Sequence, residues 1–231
     1  MKTDYDPERM VREYKSSSEN SVLKQNHNEL HRLYYGSQDR DSHLHKLISS
    51  TAMGDYAGGM YQDINMLFHD RHHEPMYVDD DHIERVHEAH SFLAYHMRPE
   101  VVFRPLEKPL TTYHGFYHDG PHGQKIIESR VGQEFHLHGL TSTSLSRRTA
   151  QDFASTERDE NGGGIKHVMV IHHPKGSDAG VYIGGLHTGE YEHLLRPGVR
   201  LRRIGKAMPY DGAYGGHIRI MLHPFEVTGH A

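Results

Sequence analysis

The chain has 231 residues, of which 25% are charged, and carries a formal net charge of -5 with no cysteine. That length suits one domain with a helical extension, and the acidic balance argues against a protein built to coat nucleic acid or an anionic membrane. The missing cysteines exclude disulfides, thiolate zinc sites and cysteine nucleophiles.

Residues 1–20 are polar, include Ser16-Ser17-Ser18 and read as a loose arm ahead of a single domain over 21–231. The opening Met1-Lys2-Thr3-Asp4-Tyr5-Asp6 lacks the apolar run of a signal peptide. No stretch reaches the about 18 apolar residues of a membrane span, so a cytoplasmic protein, of the producing or a host cell, is expected. Val22, Leu30, Leu33 and Tyr34 fit one face of a helix over Ser21–Tyr35, stopped by Gly36, and a second helix is expected over His43–Ser50. Tyr56, Met60, Ile64 and Leu67, at spacings of four, four and three, make an amphipathic stripe over Tyr56–Phe68. Asp79-Asp80-Asp81 caps a further helix through Ile83, Val86, His90 and Leu93 that stops near Tyr95, before Pro99. Residues 21–100 are thus mainly helical.

From Pro105 onward, short apolar runs punctuated by Gly and Pro mark residues 101–231 as β-rich. Strands are expected at Leu110–His114, Glu134–His138, His167–His172, Arg200–Ile204 and Ile218–Val227. One short helix is expected over Thr149–Ser155, and Asn161-Gly162-Gly163-Gly164 reads as a flexible turn. Helices first and strands second define an α+β fold.

Three segments carry chemistry. In Pro109-Leu110-Thr111-Thr112-Tyr113-His114-Gly115 a strand ends by presenting an aromatic, an imidazole and a glycine whose bare backbone can meet an amide. Gly139-Leu140-Thr141-Ser142-Thr143-Ser144-Leu145-Ser146 is a run of hydroxyls able to hold a carboxylate and a sugar in fixed relation. In Gly189-Glu190-Tyr191-Glu192, strand alternation puts two carboxylates on one face, where like charge separates their proton affinities. Each segment alone is also explained as an ordinary strand or turn.

In this order the segments resemble the toxin-like mono-ADP-ribosyltransferases with the Arg-Ser-Glu signature, a group that includes bacterial binary-toxin enzymes, vertebrate ecto-transferases and bacteriophage enzymes. The likeness runs from about Tyr56 to Ile204. Tyr56–Leu67, with Ile64-Asn65, is similar to a family helix ending in Ile-Asn, and Ala150–Ala154 to the short helix after the Ser-Thr-Ser strand. Val168–Gly185, with Pro174-Lys175-Gly176 and Val181-Tyr182-Ile183-Gly184, is similar to the strand and acceptor-recognition loop before the Glu-x-Glu pair.

The resemblance implies N-terminal helices packed on a split mixed β-sandwich that binds NAD as substrate, with no metal, and a partner protein modified on arginine. Glu192 corresponds to the glutamate that binds the 2′-hydroxyl of the nicotinamide ribose, and Glu190 to the one that engages an arginine acceptor. Ser142 matches the serine that positions the catalytic glutamate, with Thr143 and Ser144 in support. Tyr113 and Gly115 fall in the NAD-binding segment, Gly115 gripping the carboxamide, and Tyr182 in the acceptor loop.

His114 departs from the pattern, because the family has an arginine there whose guanidinium fork an imidazole does not replace. Diphtheria-toxin-like enzymes and poly-ADP-ribose polymerases have His-Gly at this point, the histidine bonding a ribose hydroxyl. Either another residue, with Arg147 the candidate, supplies the phosphate contact, or NAD binding is impaired.

The 24 histidines are scattered from His27 to His230. His69-Asp70-Arg71-His72-His73-Glu74 and the pair His87 and His90 contain competent zinc ligands but no His-Glu-x-x-His, and no metal is expected. Two other functions fit the sequence: a NAD glycohydrolase or a transferase acting on RNA or small molecules, and a non-catalytic His-rich binding module on a degenerate transferase fold.

Overall fold

A computed structural model of the chain describes residues 6–16, 19–35, 46–47, 49–56, 60–69, 80–97, 103–119, 121–158, 163–184, 190–211 and 217–230. Half of the expected helix over His43–Ser50 lies outside these residues, as do 70–79 and half of the Asn161–Gly164 turn.

The expected loose arm contains a helix, α1 (Pro7–Ser16). Asp6 opens it by accepting from the Glu8 amide at 2.9 Å. Met10 and Tyr14, four residues apart and so on one face, are 2% and 1% exposed. Besides Pro7 the helix has three apolar residues, Met10, Val11 and Tyr14, among charged and polar ones; so short a stripe does not stand out in sequence, and it is the partner surface that makes the helix. The remaining helices are α2 (Glu19–Tyr35), α3 (Thr51–Asp55), α4 (Tyr61–His69), α5 (Asp80–His96), α6 (Pro121–Glu128) and α7 (Arg147–Phe153). The strands are β1 (Leu110–Gly115), β2 (Glu134–His136), β3 (Thr141–Ser144), β4 (Thr156–Arg158), β5 (Gly164–His173), β6 (Gly180–Tyr182), β7 (Glu192–Leu195), β8 (Val199–Arg203), β9 (Met208–Asp211) and β10 (Ile218–His230). The α+β class stands, and the sheet is mixed, since β10 runs parallel to β5 while the other pairs are antiparallel.

Along the sheet the order is β2-β8-β10-β5-β1-β3-β7-β6, with β4 flanking β5 and β9 flanking β10. β1 meets β5 over six residue pairs but meets β3 at one, Tyr113 opposite Ser144. The sheet therefore parts between β1 and β3 into a five-strand half and the three strands β3, β7 and β6, which is where the expected split lies.

Cores on both sides hold this arrangement. α2 to α5 pack their apolar faces, including Leu30, Ile64 and Leu93, against Val181 and Leu194 of the three-strand half. β5 is buried on both faces: Val168 and Val170 pack with Met10, Tyr14 and Ala150, while Met169 and Ile171 pack with Ile126 and Phe225. A strand covered on both sides reads as a continuous apolar run, as β5 does.

Tyr14 donates and receives contacts on several sides: its hydroxyl is bonded by Gln151, and its ring meets Tyr113 and Tyr210 edge-on at 5.5 and 5.1 Å. Tyr14→Ala is expected to destabilise the fold by about 3 kcal/mol, in the range for removing a buried aromatic. Urea unfolding of the variant checks this, and unchanged stability would return residues 7–16 to a loose arm.

Candidate active site

The parting of β1 and β3 exposes the ends of three strands. Ser144 lies opposite both Tyr113 of β1 and Glu192 of β7, and directly paired residues point to the same face. Ser142, two residues earlier, shares that face and is exposed. Glu192 is the first residue of β7, opposite Ser144, so its carboxylate stands at a strand end on the face that Ser142 shares.

Tyr56 completes this group from the helical side. Its hydroxyl donates to the Leu140 carbonyl at 3.2 Å and accepts from Asn65 Nδ2 at 3.3 Å. Burial holds the phenol above its usual range; bonds from Asn65 and Ser142 pull it down, and the nearby Glu192 carboxylate pushes it up again. In sequence Tyr56 and Asn65 were visible as an apolar stripe and an Ile-Asn pair, but nothing there showed that the phenol turns toward Ser142 and Glu192.

The two carboxylates are not set by strand alternation. Glu190 lies in a turn ahead of β7, and Tyr191 between them has φ of 49°, a conformation that bulky L residues rarely adopt. Three bonds fix this turn: the Ser144 hydroxyl donates to the Glu190 carbonyl, the Leu145 amide to the Tyr191 carbonyl at 3.1 Å, and the Ile183 amide to the Glu192 carbonyl at 3.0 Å. The hydroxyls of the second motif thus divide. Thr143, 3% exposed, gives its hydroxyl to the His193 carbonyl. Thr143 and Ser144 brace the glutamate-bearing segment from below instead of facing a ligand, and Ser142 is the outward hydroxyl.

His114 points to the opposite face of β1 from Tyr113, and its Nδ1 lies 2.7 Å from the Ser142 carbonyl across the parting. A carbonyl only accepts, so Nδ1 carries the hydrogen and Nε2 of the neutral ring is the acceptor. Gly115 is required for packing: a Cβ there would meet the Ala150 carbonyl oxygen at 1.8 Å, because α7 lies on the strand end.

Two expected ligand contacts have other occupations. Tyr182 is 0% exposed, with its hydroxyl 2.6 Å from His27 Nδ1 of α2, so it offers no surface to an acceptor. Tyr113 turns its ring into the cluster around Tyr14. Arg147, the first residue of α7, sets its guanidinium 5.0 Å from the centre of the Tyr14 ring. Of the histidines weighed as metal ligands, His87 is exposed and His90 packs edge-on against Phe68, centroids 4.6 Å apart. Among the described residues no helix is long and apolar enough to cross a membrane.

Behind the site run buried imidazoles. Arg203 Nη1 donates to His223 Nδ1 at 2.9 Å, His223 Nε2 therefore donates to His167 Nδ1 at 2.9 Å, and His167 Nε2 to Glu157 at 3.1 Å. Each donor fixes the next tautomer, joining β8, β10, β5 and β4. Phe116, the residue after Gly115, meets the His167 ring at a tilt and the His223 ring edge-on.

A family model described as ADP-ribosyltransferase exoenzyme matches residues 35–205. The chain belongs to this family, and is by membership an NAD-dependent ADP-ribosyltransferase. Its fold is similar to that of Plx2a, an ADP-ribosyltransferase toxin from Paenibacillus larvae, at 14% identity with TM-score 0.54, covering 91% of this chain and 96% of that one. It is also similar to BECa, the ADP-ribosylating toxin of a binary enterotoxin of C. perfringens solved with NADH, at 15% identity with TM-score 0.55, covering 90% of this chain. C2-I, the enzymatic component of the C2-toxin from Clostridium botulinum, matches at 16% identity with TM-score 0.56 over 94% of this chain. The chain spans about half the length of those two, 48% of each. No curated protein matches it by sequence.

Two outcomes follow from this packing. Gly115→Ala is expected to cost about 3 kcal/mol or more, as overpacking against backbone does, and to lower the melting temperature; an unchanged value would mean that α7 does not sit on β1. Burial holds His193 down to about 4, and burial followed by the charge of Arg203 holds His223 down to about 2, against 6.5 for a free imidazole. Between about pH 6.5 and 4 the unfolded chain binds more protons, so stability is complete above that window and falls as pH drops through it. Urea midpoints at about pH 7.5 and about pH 5 should show this loss, and His193→Leu should reduce it.

Proposed function

We propose that the chain breaks the bond between nicotinamide and the ribose of NAD and passes the ADP-ribosyl group to a target protein, on an arginine side chain. The observation that carries this reading is the pinned Glu192: the residue at the head of β7, opposite Ser144 and on the face that carries the outward hydroxyl of Ser142. In the proposed reaction the glycosidic C–N bond breaks, nicotinamide leaves with the bonding electron pair, and the ribose gains oxocarbenium character. Glu192, bonded to the 2′-hydroxyl, stabilises that positive charge, and a carboxylate already held in place needs no reorganisation at the moment of bond cleavage. Ser142 orients the Glu192 carboxylate, and Tyr56, held by the Leu140 carbonyl and Asn65, packs beside them.

Glu190 takes the proton that the arginine guanidinium loses as its nitrogen attacks the anomeric carbon and forms the new C–N bond. The Gly115 backbone meets the nicotinamide carboxamide. His114 accepts a ribose hydroxyl at Nε2, a role for which its Nδ1 bond to Ser142 already selects the tautomer. Arg147 supplies positive charge toward the phosphates.

Incubation with labelled NAD and a cell lysate tests the reading. Label on protein supports transfer, free ADP-ribose alone supports a glycohydrolase, and intact NAD supports a binding module. Glu192→Gln is expected to cut NAD consumption by about 10²-fold or more, the scale for removing a preorganised electrostatic stabiliser. Glu190→Gln is expected to spare hydrolysis and suppress labelling of arginine. Equal turnover in Glu192→Gln and the unaltered protein would sink the assignment.

A further inference from the structure

Helix α2 reaches the strained turn from outside the sheet. His27, on its inner face, lies with Nδ1 2.6 Å from the Tyr182 hydroxyl, and its ring meets those of Tyr182 and Tyr191 edge-on, centroids 5.8 and 5.5 Å apart. Burial raises the Tyr182 phenol above its usual range, as do the neighbouring Tyr35 and Tyr191, so the hydroxyl keeps its proton and donates to His27. Tyr34 and Tyr35, from the end of the same helix, donate to the carbonyls of Gly180 and Tyr182 at 2.9 and 3.1 Å. α2 is thus fastened to β6, and through His27 it rests on Tyr191.

Tyr191 needs a brace. At φ of 49° a tyrosine is outside its preferred backbone range, and release would let it relax toward negative φ. Such a relaxation would not move the two glutamates equally. Glu192 is held in the ladder, opposite Ser144 on one side and bonded through its carbonyl to the Ile183 amide on the other. Glu190 precedes the left-handed residue and is tied to β3 through its carbonyl by the Ser144 hydroxyl, so a change at Tyr191 turns its side chain about that bond relative to β7.

We propose that His27 is a positioning residue for the acceptor step: its ring holds Tyr191 in the left-handed conformation that sets Glu190 relative to Glu192. The inference rests on the roles proposed above for those two glutamates. It extends the working site beyond the three sequence motifs to a helix more than a hundred residues upstream. It also gives Tyr182 a place, as the anchor of His27, in exchange for the acceptor contact that its burial denies.

The test measures two products of labelled NAD in the presence of a cell lysate, label on protein and free ADP-ribose, for the full chain and its variants. His27→Ala is expected to lower the ratio of protein labelling to hydrolysis about tenfold, as misplacement of one reacting group does, with hydrolysis itself little changed. His27→Phe keeps an aromatic ring against Tyr191 and is expected to restore most of the ratio. An unchanged ratio in His27→Ala overturns the proposal, and so does a parallel fall of both products in both variants, which would mark His27 as a packing residue alone. If the unaltered chain labels no protein, the acceptor reading fails along with this one. If it labels protein and the His27→Ala ratio holds, this proposal alone fails.

Discussion

The single residue pair between β1 and β3 is the constraint on which the site depends. A sheet continued past Tyr113 and Ser144 would pair the backbones of His114, Gly115, Thr143 and Ser142 with each other and close the space above them. Because pairing stops there, a strand end is left on each side of the gap, and the His114 imidazole rather than a backbone amide bonds the Ser142 carbonyl. Three other features keep the gap in place. α7 lies on the end of β1 so closely that a side chain at Gly115 cannot be fitted. The Arg203-His223-His167-Glu157 chain fixes the strands behind Phe116. The helical cluster presses on β6 and β7 from the other half. A cleft with rigid walls is what electrostatic catalysis requires, since donors and charges that must reorganise as the reaction proceeds lose most of their advantage.

The same economy shows in the hydroxyl strand. Three neighbouring hydroxyls could have formed a ligand-binding row, but two are spent on the segment that bears the glutamates. Ser144 and Thr143 bond carbonyls on either side of Glu192, so the left-handed turn and the start of β7 are fixed by the strand next to them. Only part of this division follows from alternation: Thr143 faces the other side of the sheet from Ser142 and Ser144, whereas Ser144 is drawn inward by its bond to the Glu190 carbonyl and Ser142 is left exposed.

Much of the fold was legible in the sequence, and what was missed has physical causes. The helices over Glu19–Tyr35 and Asp80–His96 and the central strand Gly164–His173 follow from long, regular apolar spacing. α1 escaped because two buried residues do not make a pattern, and β4, β6 and β9 because strands of three or four residues show no alternation. For the candidate site, Ser142, Glu190 and Glu192 could be singled out along the chain as expectations, but their geometry could not. Strand alternation predicted one face for the two glutamates, whereas a left-handed tyrosine, which no propensity favours, decides their relation. Tyr182 shows the limit in the other direction, since a tyrosine in a loop motif looks available to a partner until tertiary packing buries it.

An imidazole where the resemblance leads to the expectation of a guanidinium changes which contacts that position can make, and under the proposed function other groups have to supply the rest. A guanidinium supplies charge and several donors, whereas the ring of His114 gives one hydrogen to Ser142 and keeps one acceptor. Acceptance suits a sugar hydroxyl and does nothing for a phosphate, so charge has to come from elsewhere. Arg147 stands at the start of α7, where the helix dipole already favours an anion. Its guanidinium is steadied on the Tyr14 ring, which α1 delivers and which Tyr113 and Tyr210 support at their edges. In this arrangement Tyr14 holds both the residue before His114 and the Arg147 guanidinium. The N-terminal helix thus packs beside the first motif, since its Tyr14 touches both Tyr113 and Arg147, and the segment that looked dispensable in sequence helps to fix the residues around His114.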